Sequence, residues 1–250
     1  MNTLRSAPLA LTLALAANSA LARDADPATD PSAPRWNDWT IRIEPIIWAP
    51  ALRGDIKMPG AASIDVGTIN ADEVNLAPAG RVTIRADKWS FLFRGFAFAV
   101  DEDAAEIDLA GFDLTAGYNL WTPIDDPENQ VRLAFDLFGG VRIHSIDASI
   151  AAANSDNTWF EPIGGARINL DLPHRFGLNV SLDGGGFSSG EDSSFSWDIT
   201  VAFSWRPIEN LGLEIGFRHL QADLVEGDGA DEFEFDGALA GLFGSVVIRF

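Results

Sequence analysis

Phe195-Ser196-Trp197-Asp198-Ile199-Thr200-Val201-Ala202-Phe203-Ser204-Trp205 decides the fold. Every odd position is large and apolar, and every even one is small or polar. Side chains of a strand point to opposite faces in turn, so this segment has one greasy face and one small-polar face. The pattern recurs along the chain. Phe176, Leu178, Val180 and Leu182 alternate with Gly177, Asn179, Ser181 and Asp183. Val131, Leu133, Phe135 and Leu137 alternate with Arg132, Ala134, Asp136 and Phe138, and Leu211, Leu213, Ile215 and Phe217 with Gly212, Glu214, Gly216 and Arg218.

Two architectures bury one face of such strands. A soluble sandwich or lipocalin-like barrel turns the apolar face inward, whereas an outer-membrane barrel turns it out to lipid and lines its interior with the polar face. Residue size separates the two. The polar face carries Arg, Asp and Glu in mid-strand among many Gly, which suits a narrow interior, and the apolar face carries aromatics at both strand ends, as interfacial girdles require. The quoted stretch, at ~3.3 Å per residue and tilted by about 40°, projects to roughly 25 Å, the height of a lipid-facing band. The reading is all-β: a single closed antiparallel up-and-down transmembrane β-barrel. A soluble lipocalin-like binder is its rival.

Composition narrows the function classes. The 250 residues hold 17 basic and 37 acidic side chains, a net charge of −20, and no Cys, so disulfides, thiolate metal sites and Cys nucleophiles are excluded. With so acidic a chain and its basic residues scattered singly, no nucleic acid is expected as a partner. No window of 18 apolar residues exists for a membrane helix. Residues 1–22 read as a signal peptide: Arg5, an Ala/Leu-rich run over 7–17, then Ala20-Leu21-Ala22 as the small-x-small cleavage pattern. Residues 23–38, rich in Pro and Asp, read as a flexible periplasmic tail, and 39–250 as the barrel domain.

Ten strands are expected, over 40–56, 78–86, 88–100, 106–121, 130–150, 158–172, 175–187, 193–205, 211–224 and 232–250, with eight and twelve as the neighbouring solutions. Asp87-Lys88, Pro123 to Asn129, Pro173-His174 and Pro207 to Asn210 form the periplasmic turns. The more acidic connections 57–77, 101–105, 151–157, 188–192 and 225–231 face outside. Trp89, Trp121 and Trp205 then fall at the periplasmic aromatic belt, and Trp159 and Trp197 at the outer one.

The closing stretch Gly244-Ser245-Val246-Val247-Ile248-Arg249-Phe250 resembles the terminal strand of bacterial outer-membrane proteins, with Leu242, Val246 and Ile248 outward and a final Phe. The resemblance implies Gram-negative origin and recognition of Phe250 by the barrel assembly machinery. The layout from Glu44-Pro45-Ile46-Ile47-Trp48 to Phe217-Arg218-His219-Leu220 is similar to a poorly characterised family of small outer-membrane barrels, OmpA-like or OmpW-like in general architecture. That likeness specifies a barrel and no activity.

Parity places Arg42, Arg81, Arg85, Arg94, Arg132, Arg142, Arg167, Arg218 and Arg249 in the lumen with Glu44, Asp113, Asp136, Glu161, Asp171, Asp183, Asp198 and Glu214, so the lumen is nearly neutral. Ten strands enclose slightly more room than side chains just fill. Charges left unpaired there are costly, so cross-strand ion pairs and a plugged lumen are expected, with a structural or surface-interaction role. Arg suits planar bidentate pairing. A narrow channel for small solutes is the alternative.

No motif asks for a cofactor. Of three His, His144 faces the lumen, His174 lies in a turn and His219 falls outward; a hydrolase could use only His144, with Ser181 or Asp183 as partner. The acidic loops Asp101-Glu102-Asp103, Glu191-Asp192 and Glu226 to Glu232 suit divalent cations bridging to lipopolysaccharide and other anionic lipid, against the plainer reading of solvated acidity. In the connection 57–77, a strand-like piece over 62–66 and a helical turn starting at Asn70-Ala71-Asp72-Glu73 could form a lid over the mouth.

Overall fold

The computed structural model describes residues 39–60, 63–65, 76–102, 105–126, 128–150, 153–229 and 231–250. The signal peptide, the tail and the helical turn at 70–73 lie outside the described residues. Strands are β1 (Thr40–Lys57), β2 (Ile64–Asp65), β3 (Ala77–Ala86), β4 (Trp89–Glu102), β5 (Ala105–Asp126), β6 (Val131–Ile150), β7 (Ala153–Leu172), β8 (Phe176–Ser189), β9 (Asp192–Ile208), β10 (Leu211–Glu226) and β11 (Phe233–Arg249). The ten long strands pair antiparallel in chain order and β11 returns to β1, closing a barrel. The two-residue β2, inside the strand-like piece expected at 62–66, pairs with Asp55 and Ile56 of β1 beyond the end of β3.

Register fixes the shape. Following register partners around the wall from Arg42, through Thr83 and Leu92 and on to Ala222 and Gly237, returns to β1 at Gly54 rather than at Arg42. That stagger, with ~3.3 Å per residue and ~4.8 Å between strands, tilts the strands by about 40°. Large rings fit inside because glycine faces them: Phe96 pairs with Gly111 and Phe243 with Gly216, where a Cβ would come within 2.3 and 2.5 Å of the rings.

Polarity is inside out. Leu114, Ile215 and Leu242 on the outer face are each more than 60% exposed, whereas Arg142, Glu161 and Asp198 on the inner face are at most 1% exposed. The outer apolar run covers residues 110–120 of β5, 133–143 of β6 and 238–248 of β11. A run of about eleven tilted residues spans roughly 25 Å, a lipid band. Trp89, against Tyr118 at 5.0 Å, Trp121, stacked on Phe135 at 5.4 Å, and Trp205 mark its turn-side edge; Trp197, against His219 at 4.7 Å, lies toward the other.

Beyond that edge the pattern inverts. The strands continue, β5 for 22 residues and β6 and β7 for 20 each, but Leu52, Ile56, Phe98, Ile107, Ile146 and Leu224 now point inward while Arg53, Asp108, Asp147, Asp156 and Asp223 point outward. Of the connections expected at 101–105 and 151–157, residues 101–102, 105 and 153–157 are strand, and Asn154 and Asp156 are polar because they face water, not because the chain has left the sheet. On the turn side, Ile124 and Asp125 still pair with Leu133 and Arg132, so the turn expected from Pro123 is confined to its last residues. Trp159, expected in the outer belt, instead points inward at 6% exposure, shares parity with Glu161, donates its indole N–H to the Val225 carbonyl (3.2 Å) and packs on Phe233.

Aspartates line up across this projecting rim. Asp65, Asp55, Asp236 and Asp223 are successive partners over four strands, and Asp108, Asp147 and Asp156 over three. Like charges directly opposite one another oppose pairing. Partial burial, and then Asp236, push the Asp223 carboxyl above the usual range. A carboxyl raised by folding stabilises the fold fully below its unfolded pKa and loses that contribution as pH climbs through the raised value.

Two outcomes follow from these faces. Leu114→Arg at mid-band should lower stability in bilayers by about 2–4 kcal/mol, while Asp147→Arg on the rim should not, as read from urea unfolding of the refolded protein in vesicles. Asp236→Asn should raise the melting temperature by about 1–2 °C at neutral pH, and the gain should shrink on acidification as the raised Asp223 carboxyl takes up its proton.

Candidate functional site

The lumen is the candidate site, and it is layered. Every residue assigned to it by parity lies on the inward face. One interior row runs Glu44, Arg81, Arg94, Asp113, Arg142, Glu161, each directly opposite the next on successive strands. Because rows climb around a staggered barrel, this one joins two ionic levels.

The upper level surrounds Arg142. Its guanidinium donates to Asp113 Oδ1 (2.7 Å), Asp183 Oδ1 (2.6 Å) and Ser196 Oγ (2.9 Å). Arg94 donates through Nε to Asp113 Oδ2 (2.7 Å) and lies 3.5 Å from Asp198. Arg218 donates to Asp198 Oδ2 (2.6 Å), and its guanidinium lies 5.0 Å from the Trp48 ring centroid and 5.1 Å from that of Phe96. It thus joins the ionic level to the apolar packing above it, using both its hydrogen-bonding edge and its weakly hydrated face.

The lower level, nearer the short turns, holds Arg42 on Glu44 (2.6 Å), Arg81 bridging Glu44 and Glu214 (2.6 Å to the latter), and Arg85 3.6 Å from Asp136. Asp136 also accepts from Asn119 (2.8 Å) and Asn169 (2.9 Å). Arg132 stands opposite Asp171 in register, and Arg167 lies over the Phe138 ring at 5.0 Å. Arg206, absent from the sequence-derived set, also faces inward and reaches Asp171 at 3.7 Å; its place at the end of an alternating strand next to the Pro207 turn hid its parity.

Above both levels sits an apolar core that the sequence reading did not foresee, including Trp48, Leu52, Ile56, Phe98, Leu224 and Phe235. Its signal was present as alternation of inverted polarity at the far ends of the strands. Small cavities remain among the described residues. One of about 80 Å³ opens among the lower arginines, and two of about 20 Å³ lie higher, one beside Arg94 and Asp183 and one beside His144 and Leu220.

His144 does not meet Ser181 or Asp183. Its Nε2 lies 3.2 Å from Glu161 Oε1, the oxygen that also accepts from the Ser196 hydroxyl, and Asp183 is taken by Arg142. A Ser–His–acid relay needs the imidazole between hydroxyl and carboxylate; here both converge on one carboxylate oxygen, in a setting where His144, Glu161 and Ser196 are all at most 5% exposed. His174 sits in a turn at φ 62° and His219 lies outward against Trp197. Among the described residues no group of three or more His, Asp or Glu is arranged to hold a metal. In the acidic loops, Glu232 pairs with Lys57 (3.0 Å) and Asp192 accepts from the Gly227 amide (3.1 Å); Asp103 and Ala230 lie outside the described residues.

No protein-family model and no curated protein matches the chain. Among solved structures it is similar to the N-terminal β-barrel domain of Pseudomonas aeruginosa OprF (12% identity, 84% of this chain and 97% of that one, TM-score 0.37). It is similar to the outer membrane protease OmpT of Escherichia coli (8% identity, 84% and 97%, TM-score 0.46) and to Neisserial surface protein A (12% identity, 85% and 97%, TM-score 0.37). These likenesses concern architecture alone and bring no activity with them.

Proposed function

We propose that this chain is a bacterial outer-membrane barrel whose lumen is closed along its length, with a structural or surface-interaction role rather than a catalytic one. The observation that carries the reading is the stack of ionic levels beneath an apolar core. Arg142 and Glu161 fill the middle of the lumen almost without solvent contact, and Leu52, Ile56 and Leu224, all fully buried, close it above them. A water-filled channel would need a continuous polar path, and an apolar constriction repels water and ions. The buried pairs hold the plug in one arrangement: removing one partner of such a pair leaves an uncompensated charge, at a cost of about 3–5 kcal/mol.

The apolar band and the inverted rim support the location. The projecting rim, with its rows of outward aspartates, is the surface offered to lipopolysaccharide and to divalent cations outside. Phe250 supports the assembly reading. It is 68% exposed at the turn-side edge, and its backbone exchanges hydrogen bonds with Ile41 at the closing seam (2.9 and 3.2 Å).

Reconstituted into planar bilayers, the protein should give no stepwise conductance; discrete current steps would overturn the closed lumen in favour of the narrow channel. Removing Phe250 should reduce the amount of heat-modifiable, folded barrel recovered from outer membranes in cells, while leaving refolding into detergent unchanged.

A further inference from the structure

The two ionic levels do not carry the same charge. The upper one sets Arg94, Arg142 and Arg218 against Asp113, Glu161, Asp183 and Asp198. The lower one sets Arg42, Arg81, Arg85, Arg132, Arg167, Arg206 and Arg249 against Glu44, Asp136, Asp171 and Glu214. The near-neutral lumen is therefore a sum of two unlike halves, and the excess of positive charge is gathered in the lower half.

That half also contains a cavity. It has a volume of about 80 Å³ and is lined by Arg42, Arg81, Arg85, Arg167, Arg206 and Arg249, six cations against the two carboxylates of Asp171 and Glu214. A water needs roughly 10–15 Å³ by this measure, so the space takes several waters or one compact oxyanion. It opens toward the short turns, where Arg206 and Asp171 keep 26% and 40% of their side-chain exposure. Among the described residues, Arg167 and Arg249 have no carboxylate within 4.0 Å. The Nε groups of Arg42, Arg85 and Arg249 are buried with no acceptor. A buried donor without an acceptor is unfavourable, and guanidinium groups crowded together repel one another. Planar forks converging on one small polar space are what a tetrahedral oxyanion carrying two or more charges requires.

We propose that the turn-side half of the lumen is a binding site for a phosphate-type oxyanion, held by Arg167 and Arg249 with Arg42, Arg81 and Arg85 around them. The site is independent of whether the lumen above it conducts. The chemistry is shared by free phosphates and by the phosphoryl head of a lipid-derived molecule.

The test uses the full barrel folded in a phosphate-free maltoside detergent. Inorganic phosphate, pyrophosphate and glycerol 3-phosphate are titrated at constant ionic strength against chloride, with calorimetry and melting temperature as readouts. Saturable one-to-one binding and a rise in melting temperature are expected, pyrophosphate binding more tightly than phosphate. Tighter binding of glycerol 3-phosphate than of inorganic phosphate would assign the site to lipid-derived heads, and the reverse to free anions. The double variant Arg167→Gln, Arg249→Gln should weaken binding by roughly tenfold or more, because charge-assisted hydrogen bonds are lost. Both residues lack ion-pair partners, so the variant should fold with a melting temperature at least equal to that of the parent. Arg53→Gln on the outer rim should leave binding unchanged. Absence of saturable binding at millimolar anion, or equal binding by the double variant, would overturn the proposal.

Discussion

A strand in hydrocarbon has no water to satisfy its edge, so every backbone amide and carbonyl in the band must find a partner within the sheet. The seam between β1 and β11 meets that demand, running from Arg42 opposite Arg249 to Lys57 opposite Glu234. Once the seam and its stagger are set, so are the tilt, the width and the handing of residues to inside or outside. Everything in the lumen answers to that closure, because a ring of this width leaves an interior that must be filled by side chains.

The filling follows from dielectric surroundings. In the part of the barrel wrapped by lipid, the outer face must be apolar, and polar groups can exist only inside, where each charge costs desolvation unless it is met by another. Arg142 meets that condition with two carboxylates and a hydroxyl. Above the band, water takes the place of lipid outside, and the ordinary arrangement of a soluble protein returns, with Leu52, Ile56 and Phe235 buried and charges outward. One wall thus obeys two opposite rules, and Arg218, beside the Trp48 and Phe96 rings while bonded to Asp198, sits where they meet.

The same division explains what was legible in the sequence. Ten strands, their turns and the inward parity of the charged residues could be read because alternation survives in every strand crossing the band. The rim could not be read as strand, since residues such as Asn154, Asp156 and Asn157 look like a loop when polarity alone is consulted, although they pair in register with β6. Trp159 shows the limit of reading aromatics by type: an indole near a strand end suggests a lipid interface, but its parity with Glu161 sends it inward. Segregation of the luminal charge was hidden for another reason. Axial height depends on the stagger of the closed ring, which no single strand encodes.

The abrupt change of the outer face also sets how deeply the barrel can float. Below the aspartate rows the wall is greasy, and immediately at them it is charged, so the hydrophobic thickness of this protein has a sharp upper limit. A thicker bilayer would have to thin around it or pull those carboxylates into hydrocarbon, each at a modest energy per ångström. A closed ring of ten hydrogen-bonded strands cannot lengthen its band to compensate, so the surrounding lipid must adapt its thickness to the protein.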